Sequence, residues 1–194
     1  MRRIRNVRLA KAAVVVACAL LAGVAAVRAT QVIPLTDQQL VARSQLIIEG
    51  RVTGVSSAWN AGQTQIHTTV EIAVQEVLKG SLVRGHQTVT LRMLGGTVGD
   101  MTMLIVDAPR FFQGDELLLM LHPDYQQVLL PVVGFNQGAL RIKTDLATGT
   151  RMIPARKTTR NEFVKKVRGI IATQIVQEKQ NVGAAQTEGD ADGN

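Results

Sequence analysis

Three histidines, His67, His86 and His122, are the side chains best placed by type to bind a metal or carry a proton near neutral pH. None has a second histidine or a cysteine two to four residues further on, and each falls in a different segment. That spacing predicts no metal site and leaves the three as surface or turn histidines. Asp115 and Glu116 are adjacent in a turn, so their carboxyls diverge. Glu71 and Glu76 fall on opposite faces of a strand with a period of two. A hydrolase in this chain would have to draw His67, Glu71 and Asp100 into one concave pocket. The sequence contains no HExxH, EF-hand loop, GxSxG or P-loop, and predicts no catalytic, cofactor-binding or metal-ligating set.

Gly95, Gly96 and Gly99, ahead of Asp100, make the most conspicuous loop. A phosphate-cradling glycine loop opens onto a helix N-terminus, whose N–H groups face the anion. Here a strand follows, so these glycines read as positive-φ positions of a hairpin or bulge. Trp59 and Tyr125 lie beside turn signals, as aromatic anchors for a partner or as lids over one end of a β-barrel. With Gly95, Gly96 and Gly99 they form the expected partner surface.

The elements that must position these residues are mostly strands. Residues 36–43 read as a short helix capped by Thr36 or Asp37. Residues 45–55 and 64–78 read as long strands, the second alternating Ile66, Thr68, Val70, Ile72 and Val74 on one face. Further strands are expected at 87–94, 101–106, 126–133 and 139–143. The near-continuous apolar run at 116–121 reads as the central buried strand. Thr159 and Glu162 form a capping box, after which Phe163, Val167, Ile170, Ile171 and Ile175 make one helical stripe. If that stripe stays exposed, the helix is a docking or oligomer-forming element. The fold class is therefore mainly β: an antiparallel barrel of five to eight strands, with a short N-terminal helix and an amphipathic C-terminal helix. One domain is expected over 30–178, and the Gly-, Ala- and Gln-rich tail 179–194 reads as disordered.

Residues 1–29 carry the layout of a secretory signal peptide. Arg2, Arg3, Arg5, Arg8 and Lys11 precede an apolar run, and Val27 and Ala29 stand at the −3 and −1 positions. Cleavage there removes Arg28 and Cys18 as well, leaving sixteen basic and fifteen acidic residues and a net charge of +1. The chain's pI near 10.2 then gives no case for nucleic acid, which needs clustered surface Lys and Arg. Without its single cysteine the remaining chain has no disulfide, thiolate or Cys nucleophile. Residues 15–18 also resemble a lipobox, which would leave a lipid anchor on Cys18, but the apolar run continues beyond it. The run is shorter than the roughly 20 residues of a spanning helix, so no stable membrane insertion is expected after cleavage. The expected location is secreted or periplasmic.

The order short helix, residues 46–52, a long second strand ending at Val77, Leu78, Lys79 and Gly80, then a meander resembles an OB-fold barrel of the netrin/TIMP-like kind. The likeness covers residues 36–143. The pattern of Gly95, Gly96, Val98 and Gly99, then Pro109, Arg110 and Phe111, then residues 114–119 is similar to uncharacterised secreted bacterial proteins. TIMP-type inhibition uses a mature N-terminal cysteine on the protease zinc and a set of disulfides, and the chain from Thr30 has neither. The resemblance implies a fold and leaves the activity open. The expectation is a non-enzymatic binding domain for a protein or envelope partner. An envelope hydrolase or processing enzyme and a structural, oligomer-forming protein are the alternatives.

Overall fold

A computed structural model describes residues 33–82 and 87–189, from 182 onward by backbone alone. The signal segment 1–29 with Cys18, the histidine His86 and the last residues 190–194 lie outside the described residues. The elements are α1 (Asp37–Arg43), β1 (Leu46–Trp59), β2 (Ile66–Lys79), β3 (Thr88–Leu94), β4 (Gly96–Val98), β5 (Met101–Met103), β6 (Glu116–Leu121), β7 (Ala139–Thr144), β8 (Arg151–Ile153), β9 (Thr158–Thr159) and α2 (Arg160–Gly189).

Seven strands form one antiparallel sheet in the order β3-β2-β1-β6-β7-β8-β9, while β4 and β5 pair as a separate hairpin. The fold is mainly β, as the strand period and turn spacing predict. β1 does two jobs. Leu46 to Arg51 bond β6 on one side, while the strand pairs with β2 along the other side as far as Trp59 against Ile66. Register shifts between Ile47 and Ile48, Glu49 and Gly50, and Val52 and Gly54 bend it between those jobs.

The sheet is buried on both faces near its centre, which explains the apolar run of β6. Leu117, Leu119 and Leu121 join Leu46, Ile48, Val70, Ile72 and Leu91 in an inner core. Leu118 and Met120 point the opposite way, against Leu40 and Val41 of α1 and Phe163, Val164 and Val167 of α2. The first turns of the α2 stripe are therefore covered by the sheet, whereas Ile175 and Val176 are exposed. At the residues that dock, the stripe serves the core.

Both helices are capped as expected. The Gln39 N–H donates to Thr36 Oγ1 at 3.2 Å, and the Thr36 N–H donates to Gln39 Oε1 at 2.9 Å. Thr159 and Glu162 exchange the equivalent bonds at 3.2 and 3.1 Å. Charge then ties α2 down. Glu49, buried among apolar neighbours, takes Arg151 at 2.8 Å and Arg160 at 2.7 Å. Arg160 also pairs with Glu76, which pairs with Arg168, and Arg151 continues to Glu116 and Arg51. Alternating charges thus link β1, β2, β6, β8 and α2.

Some boundaries differ from the sequence reading. The strand expected at 101–106 stops at Met103, paired with Gly96 where its partner β4 begins; Gly95 bonds Ile66 instead, and the chain turns at Asp107, φ 60°. Residues 126–133 are not a ladder strand. They contribute one bridge, Val132 to Leu121, and Leu129 O accepts the Leu94 N–H at 2.9 Å. β8 and β9 are too short to carry a period. α2 runs on through Gly189, beyond the expected limit of the domain at 178. Among the described residues, no helix is long and apolar enough to cross a membrane.

Candidate partner-binding groove

The hydroxyl pair Ser57 and Thr68 marks the outer end of the β1–β2 ribbon, with their oxygens 2.8 Å apart. Thr68 Oγ1 donates to Gly95 O at 2.7 Å, and the Gly95 N–H donates to Ile66 O at 2.8 Å. These bonds bring the chain leaving β3 hard against the ribbon. Gly96 follows with φ 134°, and a Cβ there would collide with both hydroxyl oxygens. Only glycine fits this position. The chain then folds back through the β4–β5 hairpin, whose first turn residue, Gly99, has φ 57°. A two-residue turn with positive φ at that position is one the right-handed strand twist favours. Thr97 and Thr102 face each other across the hairpin with hydroxyls 2.9 Å apart.

Residues 104–115 complete the site, held by one arginine. Arg141, on β7, donates to Asp115 Oδ2 through Nε at 3.2 Å and Nη2 at 3.1 Å, and to the Arg110 carbonyl. Asp115 Oδ2 also accepts the Phe112 N–H at 3.0 Å. The Arg141 guanidinium lies 5.8 Å from the centre of the Phe112 ring, within reach of a cation–π attraction. At the loop's other end, Asp107 O accepts the Asn136 N–H at 3.0 Å. The segment has no regular secondary structure but is fixed at both ends.

Between ribbon, hairpin and loop lies a groove of about 420 Å³. Ser57 and Thr68 give it hydroxyls, and Met103, Leu104, Phe111 and Phe112 give it apolar walls. Phe111 turns into the inner core, while its neighbour Phe112 stays 62% exposed. Leu104, Val106 and Met101 are exposed by 64, 81 and 60%. These side chains, on the hairpin and the loop, form exposed apolar surface beside the groove.

The expected surface residues divide. Gly95 and Gly96 line the groove, and Gly99 forms the tip of the hairpin beside it. Trp59 sits at the end of β1 opposite Ile66, half-buried, next to the groove rather than in it. Tyr125 lies apart, packed on the inner core in a second cleft with Leu82, Thr88 and Arg92. The proton-handling candidates do not converge on the groove. His67 Nδ1 accepts from Arg92 Nη2 at 3.1 Å, and its Nε2 is buried without a partner. Glu71 faces Gly54 from the neighbouring strand, and Asp100 is exposed at the hairpin tip. Among the described residues, no group of three His, Cys, Asp or Glu could hold a metal ion.

Leu104, Phe112 and Arg141 were not legible as site residues. The signal available was the paired Phe111 and Phe112 between Pro109 and Gly114, in a chain with four phenylalanines. The link from that loop to Arg141 spans 26 residues and has no local signature. No protein-family model matches the chain, and no curated protein matches it.

Proposed function

We propose that this chain is a non-enzymatic binding domain that works outside the cytoplasm, secreted or periplasmic after cleavage near Ala29. It takes a protein or envelope partner on the rim of the groove. The observation that carries this reading is the pair of exposed side chains Leu104 and Phe112 lining a cavity whose loop is pinned by Arg141, with Met101 and Val106 exposed on the same hairpin and loop. A pinned loop loses little freedom on binding, so the apolar area it covers is not spent on ordering the loop.

The scaffold is proposed as an OB-like barrel of the netrin/TIMP-like kind. Support comes from the strand order β3-β2-β1-β6, from Leu129 and Val132 contacting Leu94 and Leu121 across the remaining gap, and from the inner core this arrangement surrounds. OB barrels use their sheet face and loops to bind.

The test replaces Leu104 and Phe112 by aspartate together. Both side chains are exposed, so the thermal unfolding midpoint should fall by no more than the few degrees that losing the exposed Phe112–Arg141 contact, about 0.5–1 kcal/mol, would cost. Affinity capture from the native envelope should lose the partner that the unaltered protein retains. Equal recovery by both proteins would refute the groove as the binding surface. Mass spectrometry of the native N-terminus tests the location: Thr30 first supports cleavage after Ala29, and a lipidated Cys18 overturns it.

A further inference from the structure

β3 is an edge strand whose outer side is unpaired along most of its length. The register fixes which groups point outward. Gln87 O accepts the Val74 N–H at 2.7 Å, and the Gly95 N–H donates to Ile66 O at 2.8 Å, so odd-numbered residues of this strand bond inward to β2. In an antiparallel ladder the alternate residues then direct N–H and C=O away from the partner. Leu94, an even-numbered residue, obeys this rule by donating outward to Leu129 O. Thr88, Thr90 and Arg92 direct theirs the same way, and among the described residues nothing bonds them.

These groups face a cleft of about 310 Å³ whose opposite wall is Tyr125 and Gln126. Exposed side chains alternate with buried ones along the strand: Thr88, Thr90 and Arg92 face outward, while Val89, Leu91 and Met93 face the inner core. Unpaired edges are templates for a further strand, and proteins normally blunt them with proline, inward charge or a covering element. Here no proline interrupts β3, and Arg92 lies on the outer face. Arg92 spends one N–H on His67 Nδ1, so most of its five donors remain for an acid.

We propose that β3 is a docking edge for an extended peptide segment of another protein, which adds as a strand to Thr88, Thr90 and Arg92 and places a carboxylate beside Arg92. The backbone bonds supply affinity, and the alternation supplies specificity. A residue opposite Leu91 lands toward Leu82 and Tyr125 and should be apolar. The acidic residue belongs on the solvent side next to Arg92. This edge is separate from the groove rim, so each can fail without the other.

The probe is a capped heptapeptide of alternating valine and threonine with one central glutamate, added to the purified protein. Hydrogen exchange is followed by NMR. At about ten times its Kd the peptide should slow exchange at the Thr88, Thr90 and Arg92 amides roughly tenfold. Val89, Leu91 and Met93, already bonded to β2, should not change. Thr90→Pro deletes one outward N–H and no ladder bond, so it should abolish binding while the fold survives. Arg92→Glu tests the same edge without touching the backbone: it should weaken the glutamate peptide and favour its lysine counterpart. Binding by a peptide N-methylated at every residue whose N–H would face β3, or protection at Leu104 and Phe112 instead of the edge, would overturn the proposal. So would the absence of binding, or a peptide-free dimer that protects these amides.

Discussion

Gly96 and Glu49 each hold part of the architecture in place, and the role of only one is legible in the sequence. The glycine cluster announces a positive-φ turn, and Gly96 indeed stands at φ 134° against two hydroxyl oxygens. Gly96→Ala should cost about 2–3 kcal/mol in urea unfolding, as a side chain in that region is strained and also collides. Glu49 is different. Its position in a strand says only that it points to one face, and the arginines that neutralise it lie 102 and 111 residues further on. Glu49→Ala leaves Arg160 without its buried partner and should cost roughly 3 kcal/mol, the lower end for such pairs because Arg151 is 36% exposed. Urea unfolding of the two variants side by side checks both values.

At the scale of elements, local signals were legible and distant ones were not. Capping boxes act over three residues and apolar runs over six, so α1, the start of α2 and β6 could be read directly. The segment 126–133 could not, since its single bridge to Leu121 and its bond to Leu94 come from partners in other strands. The docking of α1 on α2 supplies a pH prediction. Burial pushes the Asp37 carboxyl up, but hydrogen bonds and charge from Lys166, at 2.7 Å, and Arg156, at 2.8 Å, hold it below its ordinary 3.8. A lowered carboxyl stabilises the fold above its unfolded value and loses that contribution as pH falls through the folded value. Stability should therefore drop on acidification below about pH 4, and Asp37→Asn should flatten the part of that drop due to this carboxyl. Urea midpoints measured from pH 5 down to pH 3 decide it, and parallel curves for the two proteins would contradict the assignment.

Across the whole molecule, the sheet shields one core inside and a second beneath the helices, and what remains exposed is informative. The apolar rim of the groove and the unpaired side of β3 are distinct surfaces, the first proposed to take apolar contact and the second an extended backbone. Strand period could show a mainly β domain, and composition its small net charge once residues 1–29 are set aside. Neither could show that Phe112 points out while Phe111 points in, because the loop that carries them is held by Arg141 of β7 meeting Asp115, just before the neighbouring strand β6. The most direct test of the binding rim is a photo-reactive phenylalanine analogue at position 112, compared with the same group at position 146, where Leu146 is 99% exposed. Irradiation in the native envelope should give a discrete adduct from position 112 and none from position 146. Equal labelling from both positions, or none from position 112, would contradict a partner seated on the groove.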